Sequence, residues 1–333
     1  LDNLTHSLVG LFLARAGFKH VSPRGTAIMV LAANAPDLDT VSFFGGAATY
    51  IHWHRNITHS LIALPFMALL SVAIVRWLGR KEIRWLAAFL IPMVAVASHL
   101  ALDLTNVYGV RLLLPFSGRW FHWDLTPVID LIVWAVLILG VAAPWFAGLV
   151  GSEIGERRRE AGGGWAVVAL LLFGIYDYGR SVLHDRAVAL MDSRIYVTST
   201  PQGLTPRRTG AFPEGNPLLW DGIAELSNAY VRVPIDLRGS FHPESGETFY
   251  KAERSAAIEA AMRTEPFLRF LEFVQYPIWV AGPAAEPEHA TRVSLIDLRF
   301  GTPAAPGFEA VATVSDRDQV VDSTFTFGRP RPR

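Results

Sequence analysis

Residues 52–60, His-Trp-His-Arg-Asn-Ile-Thr-His-Ser, place three histidines and an arginine directly ahead of the uncharged apolar run Leu61–Val75. Three other stretches carry matching chemistry. His99 and Asp103 are spaced i, i+4 at the end of an apolar run, so they share one helical face. Such a pair can grip one divalent cation, or can simply satisfy itself by a hydrogen bond inside a bilayer. Asp37 and Asp39 lie in Ala-Pro-Asp-Leu-Asp, where Pro36 ends or kinks the preceding helix. Their carboxylates then repel unless a cation or proton lies between them, although acidic turns are also common without any ligand. His6 follows Thr5 at a helix start, a position where a lone histidine is more often structural.

Taken together, four separate segments give His6, Asp37, Asp39, His59, His99 and Asp103 as candidate metal ligands. His54 is the candidate proton carrier, because imidazole titrates near neutral pH. Arg55 is the candidate clamp for an anionic group such as phosphate; its competing role is snorkelling at a membrane interface. His52 and Asp124 stand in reserve, and His20, His184, His242 and His289 read as structural or surface residues. The chain has no cysteine, which excludes thiolate sites and disulfides. Mixed imidazole and carboxylate donors suit zinc or manganese, as one or two ions.

These residues need elements to hold them, and the composition points to a membrane. Of the 333 residues, 51% are hydrophobic and only 18% charged, too apolar for an ordinary soluble chain of this length. The net charge of zero gives no argument for nucleic acid as a partner. No cleavable signal peptide is evident, since no basic region precedes the first apolar run. Apolar segments fall at 4–16, 25–36, 61–78, 85–102, 128–150 and 165–178, the last ended by Asp177 and Arg180. The first two are too short to cross a bilayer of about 30 Å unaided; half-spans and helices extended by polar neighbours both remain open.

Basic connectors near 15–24, 76–84 and 157–159 should face the cytoplasm. Alternation then puts the N-terminus, 37–60, 103–127 and everything after 180 on the outer side, where every candidate site residue also falls. The charge rule takes no account of histidines, so the coincidence is partly independent support.

From about 184 the pattern changes to short alternating runs: Ile195–Thr198, Tyr230–Ile235, Val293–Phe300, Phe308–Val314 and Val320–Phe327. Period-two alternation predicts strands, and Ala252–Met262 reads as a helix. The expected architecture is an α-helical membrane bundle of about four to six helices with the metal site (1–183). A soluble α+β domain rich in antiparallel strands (184–328) follows, then a disordered tail (329–333).

The motifs Thr5-His6, Pro36-Asp37-Leu38-Asp39, His54-Arg55-Asn56-Ile57-Thr58-His59-Ser60 and Ser98-His99 through Asp103 occur in an order that resembles the YdjM-type family. These are bacterial inner-membrane proteins described as metal-dependent hydrolases. Gly109–Pro115 also fits the family's run after the His/Asp pair, and the resemblance covers about residues 1–150. It implies a multi-pass protein of the bacterial inner membrane with a divalent-metal site. It also implies His6, Asp37, Asp39, His54, His59, His99 and Asp103 as the polar cluster. The reading is a metal-dependent hydrolase acting at the membrane surface on a phospholipid or lipid-linked phosphoester, with membrane lipid as its partner. Site and C-terminal domain would face the periplasm. A metal or ion transporter and a non-enzymatic scaffold with a partner-binding outer domain are the rivals.

Overall fold

The computed structural model describes residues 1–21, 24–79, 85–153, 162–198 and 203–328. The basic residues Arg80, Lys81, Arg84 and Arg157–Arg159, and the 329–333 tail, lie outside the described residues. The chain divides into two compact units. One comprises Leu1–Asp39, Arg55–His184 and Pro213–Pro217; the other comprises Thr40–His54, Asp185–Phe212 and Leu218–Arg333.

The first unit is helical: α1 (Asn3–Arg15), α2 (Gly25–Ala32), α4 (Leu64–Gly79), α5 (Trp85–Leu104), α6 (Leu131–Glu153) and α7 (Gly162–Asp192), whose last turns belong to the second unit. Among the described residues, three helical stretches are long and apolar enough to cross a membrane: Leu86–Leu104, Leu131–Leu149 and Gly162–Asp192. The number rises to five if each of two bent helix pairs counts as one crossing. One bent pair joins α2 to the 3-10 segment Pro36–Gly45 through a 51° bend.

Helix α1 starts at Asp2, whose Oδ1 accepts from the backbone N–H groups of Leu4 and Thr5. Small residues then let neighbouring helices approach. The cluster of Ala14, Met29, Ala32, Ala33, Ala68, Ala95 and Val96 is fully buried. A Cβ on Gly10 would meet the Ala33 Cβ at 2.8 Å. That glycine lets α1 press against α2 and brings the first turn of α1 towards the rest of the site. Asp130 caps α6, accepting from the N–H groups of Ile132 and Val133, and its other oxygen accepts from the Tyr176 hydroxyl at 2.7 Å.

The sixth apolar segment is longer than the sequence predicts. Asp177 and Arg180 do not end it; α7 runs on to Asp192. Arg180 is buried and donates to the Leu125 carbonyl at 2.7 Å. The Arg180 charge is thus held by a tertiary partner without ending the helix.

The second unit carries helix α3 (Ala47–Trp53) and two four-stranded antiparallel sheets. The first sheet orders β1 (Arg208–Pro213), β2 (Leu219–Glu225), β3 (Ala229–Asp236) and β4 (Glu247–Tyr250). The second orders β5 (Pro277–Pro283), β6 (Thr291–Asp297), β7 (Phe308–Val314) and β8 (Val320–Phe327). Helices α8 (Ala256–Met262) and α9 (Glu265–Leu271) connect them. Trp220, Ile223, Val233 and Leu295 are fully buried.

Several predicted boundaries move. Residues 195–198 form no strand and offer only an isolated bridge from Tyr196 to Leu204. The run from Val293 leaves its sheet at Asp297, whose side chain caps a 3-10 turn over Leu298–Phe300. The helix predicted from Ala252 begins at Ala256, because Ser255 caps it through the Ile258 N–H.

Candidate metal centre

Five stretches of the first unit supply the site: α1, Pro36–Gly45 up to Asp39, Ile57–His59, α5, and the loop after it. His59, His99 and Asp103 are fully buried, and Asp37 is 8% exposed. One donor atom from each of these four lies within 4.8 Å of every other. His59 Nε2 is 3.4 Å from Asp37 Oδ1 and 3.4 Å from Asp103 Oδ2. His99 Nε2 is 3.7 Å from Asp37 Oδ1 and 3.3 Å from Asp103 Oδ2. The two Nε2 atoms are 3.1 Å apart.

Those are five of the six edges of a tetrahedron. A tetrahedral ion with bonds of about 2.0–2.1 Å needs edges of roughly 3.3–3.4 Å, and the observed edges scatter about that value.

The far side of each ring explains the orientation. His99 Nδ1 lies 2.7 Å from the Ala33 carbonyl, which can only accept, so Nδ1 carries the proton and Nε2 presents a lone pair. His59 Nδ1 lies 3.1 Å from Asp39 Oδ2. Thr58 donates its hydroxyl to the same oxygen at 2.7 Å, and the Arg55 backbone N–H donates to it at 2.9 Å. Ring partners of this kind fix the tautomer of metal-binding histidines. The two Nε2 atoms, 3.1 Å apart, need either one shared proton or a cation between them, and Asp103 Oδ2 is buried with no hydrogen-bond partner. The donor set therefore fits a divalent ion.

The remaining predicted residues take different places. Asp39 stands behind His59, so Asp37 and Asp39 address opposite nitrogens of one ring. His6 stacks on His99 with ring centroids 3.8 Å apart, its Nε2 3.4 Å from Asp103 Oδ1. Both His6 nitrogens are buried without a hydrogen-bond partner. Arg55 adopts a left-handed backbone (φ 58) and is 4% exposed. Its guanidinium lies 3.0 Å from Asp103 Oδ1, donates to the Gly109 carbonyl at 3.3 Å and faces the Tyr108 ring. The Leu1 backbone nitrogen donates to the same Asp103 oxygen.

His54 ends α3 in the second unit, its ring stacked on Tyr50 at 4.6 Å. His52 lies 3.4 Å from Glu272 in that unit. Asp124 accepts from His122 Nδ1 at 2.8 Å. Sequence reasoning missed Asn3, whose amide donates to Asp37 Oδ2 at 2.9 Å, and the role of Thr58. The one available signal was their adjacency to Thr5-His6 and to His59.

A buried two-histidine, two-aspartate donor set among helices apolar enough to cross a bilayer defines a helical membrane protein with a candidate metal centre. The chain belongs to the YdjM inner membrane protein family, whose model matches residues 1–181. It is similar to the uncharacterized protein YfhP of Bacillus subtilis (strain 168), with 31% identity over 98% of this chain and 94% of that one. It also resembles the inner membrane protein YbcI of Escherichia coli (strain K12), with 35% identity over 132 residues, 38% of this chain and 75% of the relative. No solved structure matches the chain.

Proposed function

We propose that this protein is an integral-membrane, metal-dependent hydrolase of the cytoplasmic membrane. It acts at the outer surface on a phospholipid or a lipid-linked phosphoester. The observation that carries the reading is the set of five donor separations, 3.1–3.7 Å, among Asp37, His59, His99 and Asp103. These four would hold the ion, zinc or manganese by donor type. When bound, such an ion polarises a phosphoryl oxygen and makes water a usable nucleophile near neutral pH.

The protein's own groups have distinct tasks in this reading. Asp39 and the Ala33 carbonyl hold the two imidazoles in the tautomer that presents Nε2 to the centre. Arg55 anchors on Asp103 and Gly109, and its buried Nε–H, which has no hydrogen-bond partner, is the donor offered to an anionic group. His6 adds a fifth donor beside Asp103, and His54 is the proton carrier. The positive-inside rule applied to the basic connectors supports a centre and a C-terminal domain on the outer side.

The test is to purify the chain in detergent, measure bound metal by mass spectrometry, and assay phosphodiester and ester hydrolysis with and without added zinc or manganese. The expected result is about one or two ions per chain and metal-stimulated hydrolysis; metal-free protein with no stimulated activity ends the reading. A single cysteine at Phe44, labelled by a membrane-impermeant maleimide in intact spheroplasts, checks the orientation.

A second reading, an ion transporter, draws on one observation. Asp37 sits where the chain turns through 51° after α2, and transporters hold coupling ions on broken helices. Metal flux into proteoliposomes without hydrolysis would favour it.

A further inference from the structure

The second unit contains a segment of the N-terminal half of the chain, Thr40–His54. It leaves immediately after Asp39 and returns immediately before Arg55. Both junctions are residues of the centre: Asp39 contacts His59, and Arg55 contacts Asp103. The Arg55 N–H donates to Asp39 Oδ2 at 2.9 Å, so the base of the excursion is pinned by the same carboxylate that orients His59.

Inside the second unit the excursion is held firmly. Gly46, at φ 91, turns the chain into α3, a conformation that favours glycine. Along α3, Thr49 accepts from the Arg269 guanidinium of α9 at 2.9 Å. Tyr50 packs edge-on against Phe327 of β8 at 5.6 Å and against Phe43 at 5.8 Å. His52 lies 3.4 Å from Glu272, one residue beyond α9. Arg269 is also paired with Glu265, one turn back on its own helix.

We propose that the C-terminal domain is a positioning element of the metal centre: α9 and β8 grip α3 and thereby set the register of Asp39 and Arg55. Arg269, Tyr50 and Phe327 are positioning residues in this scheme. The inference rests on the metal-binding part of the function proposed above, and gives the C-terminal domain a task at that centre.

The probe is Co(II), whose visible absorption reports donor geometry, titrated into the full-length chain in detergent. Arg269→Ala, Arg269→Lys, Phe327→Ala and the parent chain are compared. Arg269→Ala and Phe327→Ala should weaken Co(II) binding by roughly 3- to 30-fold, the range of coupling carried through packed networks, and alter the absorption band. Arg269→Lys, which keeps a donor for Thr49, should restore much of both. A merely structural role would lower the melting temperature and leave the band of the folded fraction unchanged. Parent-like affinity and spectrum in both alanine variants would overturn this proposal alone. A parent chain with no Co(II) band would overturn the metal centre and this proposal with it.

Discussion

The two units use ionisable side chains in opposite ways. In the sheet unit, many pairs are local: Asp236 with Arg238, Glu244 with His242, and Asp221 on β2 with Arg232 on the neighbouring strand. Even its buried pair, Asp297 with Arg299, joins residues two apart, and the guanidinium is enclosed by Phe273 and Phe300. In the helical unit, the candidate donors come from distant stretches and converge on one another. Burial of charge therefore does not by itself mark a site. Asp297–Arg299 is a closed, self-neutralising pair, whereas the centre leaves an Asp103 oxygen and both His6 nitrogens without a hydrogen-bond partner.

Mutations can break that contrast. Asp103→Asn should abolish stoichiometric metal content and strand the buried Arg55 guanidinium. Removing one partner of such a pair costs about 3–5 kcal/mol, to be read from metal analysis and thermal unfolding in detergent; retained metal would put the helical cluster in the same class as Asp297–Arg299. Asp39→Asn should keep the fold and weaken metal affinity about 10- to 100-fold, as loss of a histidine's supporting partner does. Isothermal titration distinguishes this from direct ligation, which would abolish binding. Gly10→Val should overpack the α1–α2 contact at a cost of about 1–3 kcal/mol, seen as a lowered melting temperature.

The smallest effect belongs to the sheet unit. Burial pushes the Glu225 carboxyl up, but Lys251 at 2.8 Å and Arg208 more than offset it, and its pKa lies below the ordinary glutamate value. That pair's stabilisation is present at and above the unfolded-state value and fades as pH falls through the lowered folded value. Lys251→Met should cost no more than about 1 kcal/mol, and the loss should vanish in strongly acidic buffer. A larger loss would mean that local pairs in this unit carry more than solubility.

The four residues that converge were legible as candidates because chemistry and spacing coincide: His99 and Asp103 four apart on a helix, Asp37 directly after a proline, His59 close before an apolar run. The separate role of Asp39 was not legible. Two carboxylates two residues apart look equivalent until the 3-10 geometry of Pro36–Gly45 sends them to opposite sides of His59. In the sheet unit, β7 and β8 alternate cleanly and were legible, whereas β1, β2 and β5 were not. β1 and β5 contain glycine and proline, which ordinarily demote a strand, and β2 buries Gly222, Ile223 and Ala224 in succession. The full length of α7 was hidden for the reverse reason, since Arg180 finds a tertiary partner in the Leu125 carbonyl that the sequence does not display.

The grip of Arg269 on Thr49 spans 220 residues. On the ribosome, at about 5–20 residues per second, that interval lasts roughly 10–45 s. By its end, all four candidate ion-binding side chains have long been made, while α3 has waited for its holder. Arg269 thus emerges long after the donors, and a truncated product would carry every candidate ligand yet lack the clasp on α3.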